Sequence, residues 1–205
     1  MMILRRVSYR HISVPLIILA LGCLTNGVWA AEPAFDCTKA DGTIEELICQ
    51  DEKLAELDRK LAEVYTAAAR KATNEHPPFL KTEQRGWIKG RNECWKSDDP
   101  RACTETEYHH RIAELQARYR LVPEKGPFWF ACDDNPGSEV VVTFFETDPP
   151  TLIAERGDQV SFMIQQPSGS GANYQGRNET FWEHQGEASI VWGYDAPEMR
   201  CVRKP

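Results

Sequence analysis

The sequence predicts an α+β chain of two domains, a disulfide-stapled three-helix domain followed by a small antiparallel eight-stranded β-barrel. Three observations predict it. Composition changes sharply around Pro123 to Pro127, from Ala, Leu, Glu, Lys and Arg to Val, Thr, Phe, Trp and Gly. Apolar residues recur at three-four spacing before that point and in short alternating runs after it. Six cysteines follow the leader, an even number that in an exported chain reads as three disulfides.

The first 30 residues read as a leader. Arg5, Arg6 and Arg10 precede the apolar run Pro15 to Leu24, and Val28-Trp29-Ala30 sets small residues three and one before Ala31. Residues 1–30 are therefore expected to be a cleaved signal peptide, 31–122 the helical domain and 127–205 the barrel, in a soluble periplasmic product. The apolar run is about ten residues where a membrane span needs roughly 20, so no span is expected. Cys23 behind Ala20-Leu21-Gly22 offers a rival lipoprotein reading, but Leu21 stands where a small residue is usual.

Beyond the leader, 21 basic residues face 31 acidic ones, and residues 126–205 alone carry five against twelve. Such a balance argues against nucleic acid, whose backbone requires cations, and favours a basic protein partner reached by electrostatic steering. Cys-x2-Cys pairs are absent and His109-His110 is adjacent rather than spaced along a helix face. No metal and no cofactor are expected. Homodimerisation is left open by the sequence.

Thr43 and Glu46 read as a capping box before Leu47, Ile48, Leu54, Leu57, Leu61, Val64, Tyr65 and Ala68, which predicts one long helix over 43–72. Asn74 to Pro78 ends it. A second helix is expected from Phe79 to Trp95 with Leu80, Trp87 and Ile88 inward. After the Asp98-Asp99-Pro100 turn, a third is expected from Thr104 to Leu121 with Tyr108, Ile112, Leu115 and Tyr119. Antiparallel neighbours would favour pairing Cys49 with Cys94 and Cys37 with Cys103, although spacing leaves the connectivity open. Asp58, Gln84, Arg91 and Arg111 read as a hydrogen-bonded ion network tying the helices together. With Cys37, Cys49, Leu57, Leu61, Tyr65, Trp87, Cys94, Cys103 and Tyr108 they resemble the N-terminal domain of the LprI-like lysozyme inhibitors over residues 35 to 120.

From Phe128 onward, alternation predicts strands at 129–132, 139–146, 151–156, 159–165, 173–175, 180–184, 188–192 and 200–203. Turn signals separate them at Asn135-Pro136-Gly137, Asp148-Pro149-Pro150, Gly157-Asp158 and Ser168-Gly169. Cys132 on the first strand and Cys201 on the last would meet as the barrel closes. Ser170-Gly171-Ala172-Asn173-Tyr174 is a small, polar, glycine-relaxed loop, and Phe181-Trp182 can brace it. A tip of this kind suits a plug better than a catalyst. Glu179, Glu183 and Glu187 also raise a glycan-cleaving reading, but they read as solvated strand positions with no second carboxylate fixed at the needed separation.

Cys132, the 170–174 element, Phe181-Trp182, Glu187-Ala188 and Cys201 resemble the MliC/PliC family of membrane-bound and periplasmic c-type lysozyme inhibitors over residues 128 to 203. The resemblance implies a non-enzymatic protein whose 170–174 loop enters the lysozyme cleft. Ser170 would approach one catalytic carboxylate, and Phe181 and Trp182 would support the loop. His184 stands where the family has a lysine, and Gln185 where it has a glycine. Lysine is cationic at neutral pH whereas an ordinary histidine titrates near pH 6.5. Affinity is therefore expected to weaken as pH rises from about 6 to 7.5 at constant salt. His184→Lys should lose that dependence, and a wild-type inhibition constant flat across this range would refute the role. The competing reading is an envelope scaffold or stress-response adaptor that binds another protein through its helices.

Overall fold

The computed structural model describes residues 32–74, 79–133 and 135–205. The leader, Cys23 and positions 75–78 of the Asn74 to Pro78 break lie outside the described residues. Helices α1 (Thr43–Gln50), α2 (Glu52–Lys71), α3 (Phe79–Asn92) and α4 (Pro100–Arg118) precede eight strands, β1 (Glu124–Cys132), β2 (Asn135–Phe145), β3 (Thr151–Arg156), β4 (Gln159–Gln166), β5 (Ala172–Gln175), β6 (Glu179–His184), β7 (Glu187–Trp192) and β8 (Glu198–Arg203). None of the helices among the described residues is long and apolar enough to cross a membrane.

The long helix expected over 43–72 is two helices. Asp51 is extended, at φ −107 and ψ 113, and its carboxylate accepts the Leu54 N–H at 3.0 Å, capping α2. The other carboxylate oxygen accepts Arg101 Nε at 2.6 Å. An aspartate that satisfies an orphan donor of a new helix makes the break stable. The apolar stripe masks it because Ile48 and Leu54 still face one core. At the start of α1 the cap position is Gly42, without a side-chain cap, while Glu45 accepts the Asp41 N–H at 2.9 Å. The capping box at Thr43 therefore does not form. The last helix starts earlier than expected, because Asp99 caps Ala102 at 2.9 Å and Pro100 occupies the first helical turn, where its missing N–H is harmless.

The disulfides join Cys37 to Cys49, Cys94 to Cys103 and Cys132 to Cys201. The first two correct the expected Cys49–Cys94 and Cys37–Cys103 pairs. That expectation took α1 and α2 as one rod, a premise the break at Asp51 removes. Each observed bridge is local: one clips the short turn at Cys37–Lys39 to α1, and the other spans the link from α3 to α4.

Asp58, Arg91 and Tyr108 lie inside the helical core. Tyr108 donates to Asp58 Oδ1 at 2.7 Å and accepts Arg91 Nη1 at 2.8 Å, while Asp58 Oδ2 accepts the Ala34 N–H at 2.8 Å. Burial pushes the Tyr108 phenol well above its ordinary range, so it remains a neutral donor to the carboxylate. Arg111 Nε donates to Gln84 Oε1 at 3.0 Å, completing the expected network from the α3–α4 side. Ile88 departs from expectation, with 37% of its surface exposed.

Each strand pairs antiparallel with the next, and β1 pairs with β8 to close the barrel. Period-two alternation turns Phe130, Val142, Leu152, Met163, Phe181 and Ile190 inward as one core. Its rings meet edge-on, with Phe130 and Phe181 centroids 5.4 Å apart. The first turn is tighter than Asn135-Pro136-Gly137 suggests: Asp133 takes φ 54, and Asn135 is already paired with Cys132. Position 134 lies outside the described residues.

Helix α4 packs against β3 and β4. The Arg118 guanidinium lies over the Phe162 ring at 5.9 Å and Arg120 over Phe145 at 5.8 Å. Arg120 also donates to Glu124 at 2.5 Å, and Lys71 donates to the Arg120 carbonyl at 2.7 Å. The helices thus meet the barrel wall near the β5–β6 turn, where a groove joins Glu114 and Arg118 to Gly176 and Glu179.

Candidate functional site

Strands β4 and β5 are joined by residues 167–171 at the end of the barrel away from that turn. Pro167 to Gly171 are exposed. The Ser170 carbonyl is fixed twice, accepting Ser168 Oγ at 2.6 Å and Trp182 Nε1 at 3.0 Å. The carbonyl is held, while the exposed Ser170 hydroxyl has no partner among the described residues.

Gly171 takes φ 67, the left-handed region. A methyl group built on it would collide with the Glu183 carbonyl oxygen and sit 3.2 Å from His184 Cβ. The position therefore demands glycine on two counts, conformation and space. Ala172 and Asn173 follow, half-buried, in register with Glu183 and Trp182.

Tyr174 belongs to the core rather than the exposed tip. It is 6% exposed, and its ring lies 5.6 Å from Phe144 and 6.4 Å from Phe181. Burial, reinforced by the Glu183 carboxylate, pushes its phenol up. Phe181 is likewise fully buried. Trp182 turns the other way: 48% of its surface is exposed, with the indole N–H pinned to the loop. No sequence signal separates these neighbours except strand parity, which alternates the two rings in and out.

His184 ends β6 opposite Glu187, and the two-residue turn between them places Gln185 at φ 54 and Gly186 at φ 89. Positive φ at both positions suits a tight hairpin. Glu183 Oε1 accepts the Gly186 N–H at 2.8 Å and holds the turn. His184 is exposed beside Gly171, so the two short loops present Ser170 and His184 on one rim.

Between this rim and β8 runs an open groove of ≈ 640 Å³, lined by Ser170, Trp182, His184, Glu187, Glu198 and Arg200 among others, all from the barrel. Ser189 Oγ donates to Glu198 at 2.8 Å along its floor. Glu198 and Arg200 were missed by sequence reasoning, since nothing in their local spacing marks them. Outward parity on β8 was the available signal. Of the three glutamates of the glycan-cleaving reading, Glu183 and Glu187 flank one hairpin turn and Glu179 is remote from them. Glu179 lies at the opposite end of β6, where it accepts Ser161 Oγ at 2.9 Å, and Glu183 is engaged by the hairpin turn.

Comparison with known proteins matches both regions. Residues 36–118 match the family described as Lysozyme inhibitor LprI, and residues 130–199 match the family described as Membrane-bound lysozyme-inhibitor of c-type lysozyme. Among curated proteins, the chain is 29% identical over 161 residues to Lipoprotein LprI of Mycobacterium bovis and, equally, of Mycobacterium tuberculosis. The alignment covers 78% of this chain and 80% of those relatives.

Proposed function

Because this chain joins an LprI-type domain to an MliC-type domain, both of lysozyme-inhibitor families, we propose that it is an exported, non-catalytic inhibitor of c-type lysozyme. In this reading residues 1–30 are removed, 31–122 and 127–205 are the two domains, and the rim at Ser170 and His184 enters the lysozyme cleft. The observation that carries it is the exposed, doubly braced Ser170 loop on a barrel end that the helices leave open.

Lysozyme works with two carboxylates flanking the scissile bond and needs substrate and water to reach them. A hydroxyl donor on a rigid tip satisfies one carboxylate while the loop excludes the glycan. Rigidity lowers the ordering cost of binding, which is the role of the Trp182 and Ser168 bonds. The excess of acidic residues suits a basic enzyme and raises the encounter rate at low salt.

The test is a titration of lysozyme activity with the mature protein and its Ser170→Ala variant. The variant should bind more weakly by about 1–3 kcal/mol, the range for losing a buried hydrogen bond to a charged group. Equal inhibition by the two proteins would remove Ser170 from the contact. Strong inhibition by the helical domain alone would move the site elsewhere.

A further inference from the structure

A second groove, of ≈ 280 Å³, lies in the helical region and shares no lining residue with the groove beside the loop. It runs between the segment at Ala34-Phe35, α2 and α3, and Glu45 of α1 reaches it. Its polar wall is unusually well built. The Arg91 side chain is only 4% exposed, yet it lines the groove. Its guanidinium is held by Tyr108 and by Asn92 Oδ1, at 3.1 Å from Nε and 2.8 Å from Nη2, and it stacks on Trp87 at 5.5 Å. Three of its five N–H groups are thereby used, and Nη1 and Nη2 also face the carboxylates of Asp58, another lining residue, at 3.8 Å and of Glu45 at 3.6 Å, both beyond hydrogen-bond range.

Two more donors are unmatched. Among the described residues, Trp87 Nε1 and Arg111 Nη2 are the buried side-chain polar atoms without a hydrogen-bond partner. Trp87 lines the groove, whereas Arg111 is not among its lining residues and touches it only through the Nε bond to Gln84. A buried donor left unpaired is costly, so the retention of Trp87 Nε1 on the groove wall points to an acceptor that arrives from outside. The opposite polarity is close by. Glu45 Oε1 lies 3.6 Å from Arg91 Nη2, on a side chain still 22% exposed. Phe35, Leu61 and Tyr65 supply an apolar wall.

We infer that this groove binds the zwitterionic head of a free α-amino acid, with its carboxylate toward Arg91 and Trp87 and its ammonium toward Glu45. The two charges of such a head are separated by a few bonds, matching a cation and a carboxylate held side by side, and its side chain would lie along the apolar wall. The volume falls at the small end of ligand pockets, which suits one amino acid or the end of a short peptide rather than a glycan chain. This site is separate from the Ser170 rim, because it uses only helical-region residues.

The experiment is isothermal titration of the full mature protein with L-leucine and L-lysine, alongside N-acetyl-L-leucine and L-leucinamide. At least one free amino acid should bind saturably, and blocking either charge on L-leucine should weaken binding by about tenfold or more, one charge-assisted contact. Glu45→Gln and Trp87→Phe should each weaken it similarly, with far-ultraviolet circular dichroism confirming that both variants remain folded. No saturable binding by either free amino acid would overturn the inference, as would equal binding of the blocked forms or an unchanged affinity in Glu45→Gln. Lysozyme inhibition is not the readout, so neither result bears on the loop.

Discussion

Replacing Gly171 with valine should abolish useful inhibition of c-type lysozyme while leaving the barrel folded. The residue sits at φ 67, where a β-branched side chain costs about 1–3 kcal/mol. A side chain would also meet backbone, the Glu183 carbonyl oxygen, which cannot rotate away as a flexible side chain could. The strain is relieved only if residues 168–171 lift off β6, and that motion breaks the Trp182 bond to the Ser170 carbonyl. Ser170 then loses its fixed position. A loss of at least about 100-fold in inhibition constant, roughly 2.7 kcal/mol, is expected. Gly169 serves as the control, since a methyl there meets nothing within 4 Å, and Gly169→Ala should inhibit like wild type. Retained inhibition by Gly171→Val, with far-ultraviolet circular dichroism confirming the fold, would show that the loop position is not what lysozyme reads.

Removing the barrel disulfide should be the most destabilising change in the β half. Cys132 and Cys201 close a loop with a sequence separation of 69, worth about 4 kcal/mol in the chain-entropy model, against about 3 kcal/mol for the Cys94–Cys103 pair with its separation of 9. Position amplifies the difference. The bridge lies on the β1–β8 seam, which has three residue pairs, Phe130 with Arg203, Ala131 with Val202 and Cys132 with Cys201. The β6–β7 ladder has six. Closure thus depends on a short seam with a covalent link at its end. A Cys132→Ala, Cys201→Ala double variant should lose about 4 kcal/mol in urea unfolding, a large share of the roughly 5–15 kcal/mol typical of a domain. It should inhibit lysozyme poorly at 37 °C. An unfolding midpoint equal to wild type would mean that the strand ladder alone closes the barrel.

The barrel was legible because its signals are local. Phe130, Val140, Val142, Leu152, Ala154, Met163, Phe181 and Ile190 fall at alternating positions within their strands, and short turns leave adjacent antiparallel pairing as the simplest topology. Cys132 and Cys201 could be matched from the same logic, being on the first and last strands of a closed sheet. The helical half was less legible where a side-chain cap starts a new helix inside a continuing pattern. At Asp51 a continuing apolar stripe argued for one helix, but the Asp51 carboxylate caps a new one through its bond to Leu54. At Asp99-Pro100 a turn signal was also a helix start. The misjudged cysteine pairs followed from the first of these.

The loop shows the same division at finer scale. That 170–174 forms a small polar tip follows from its residues, but the assignment of its members does not. Tyr174 turns into the core beside Phe181, while Trp182 turns out and holds the Ser170 carbonyl from twelve residues away.

By itself the sequence determined the two-part architecture, the strand count and the location of an exposed polar tip, because hydrophobic period, turn chemistry and cysteine number act over a few residues. Tertiary structure alone decided which cysteines pair, why residue 171 must be glycine, how Trp182 braces the tip, and where Arg91, Trp87 and Glu45 converge on a groove. Those properties are distances between residues remote in the chain, and the folded packing sets them.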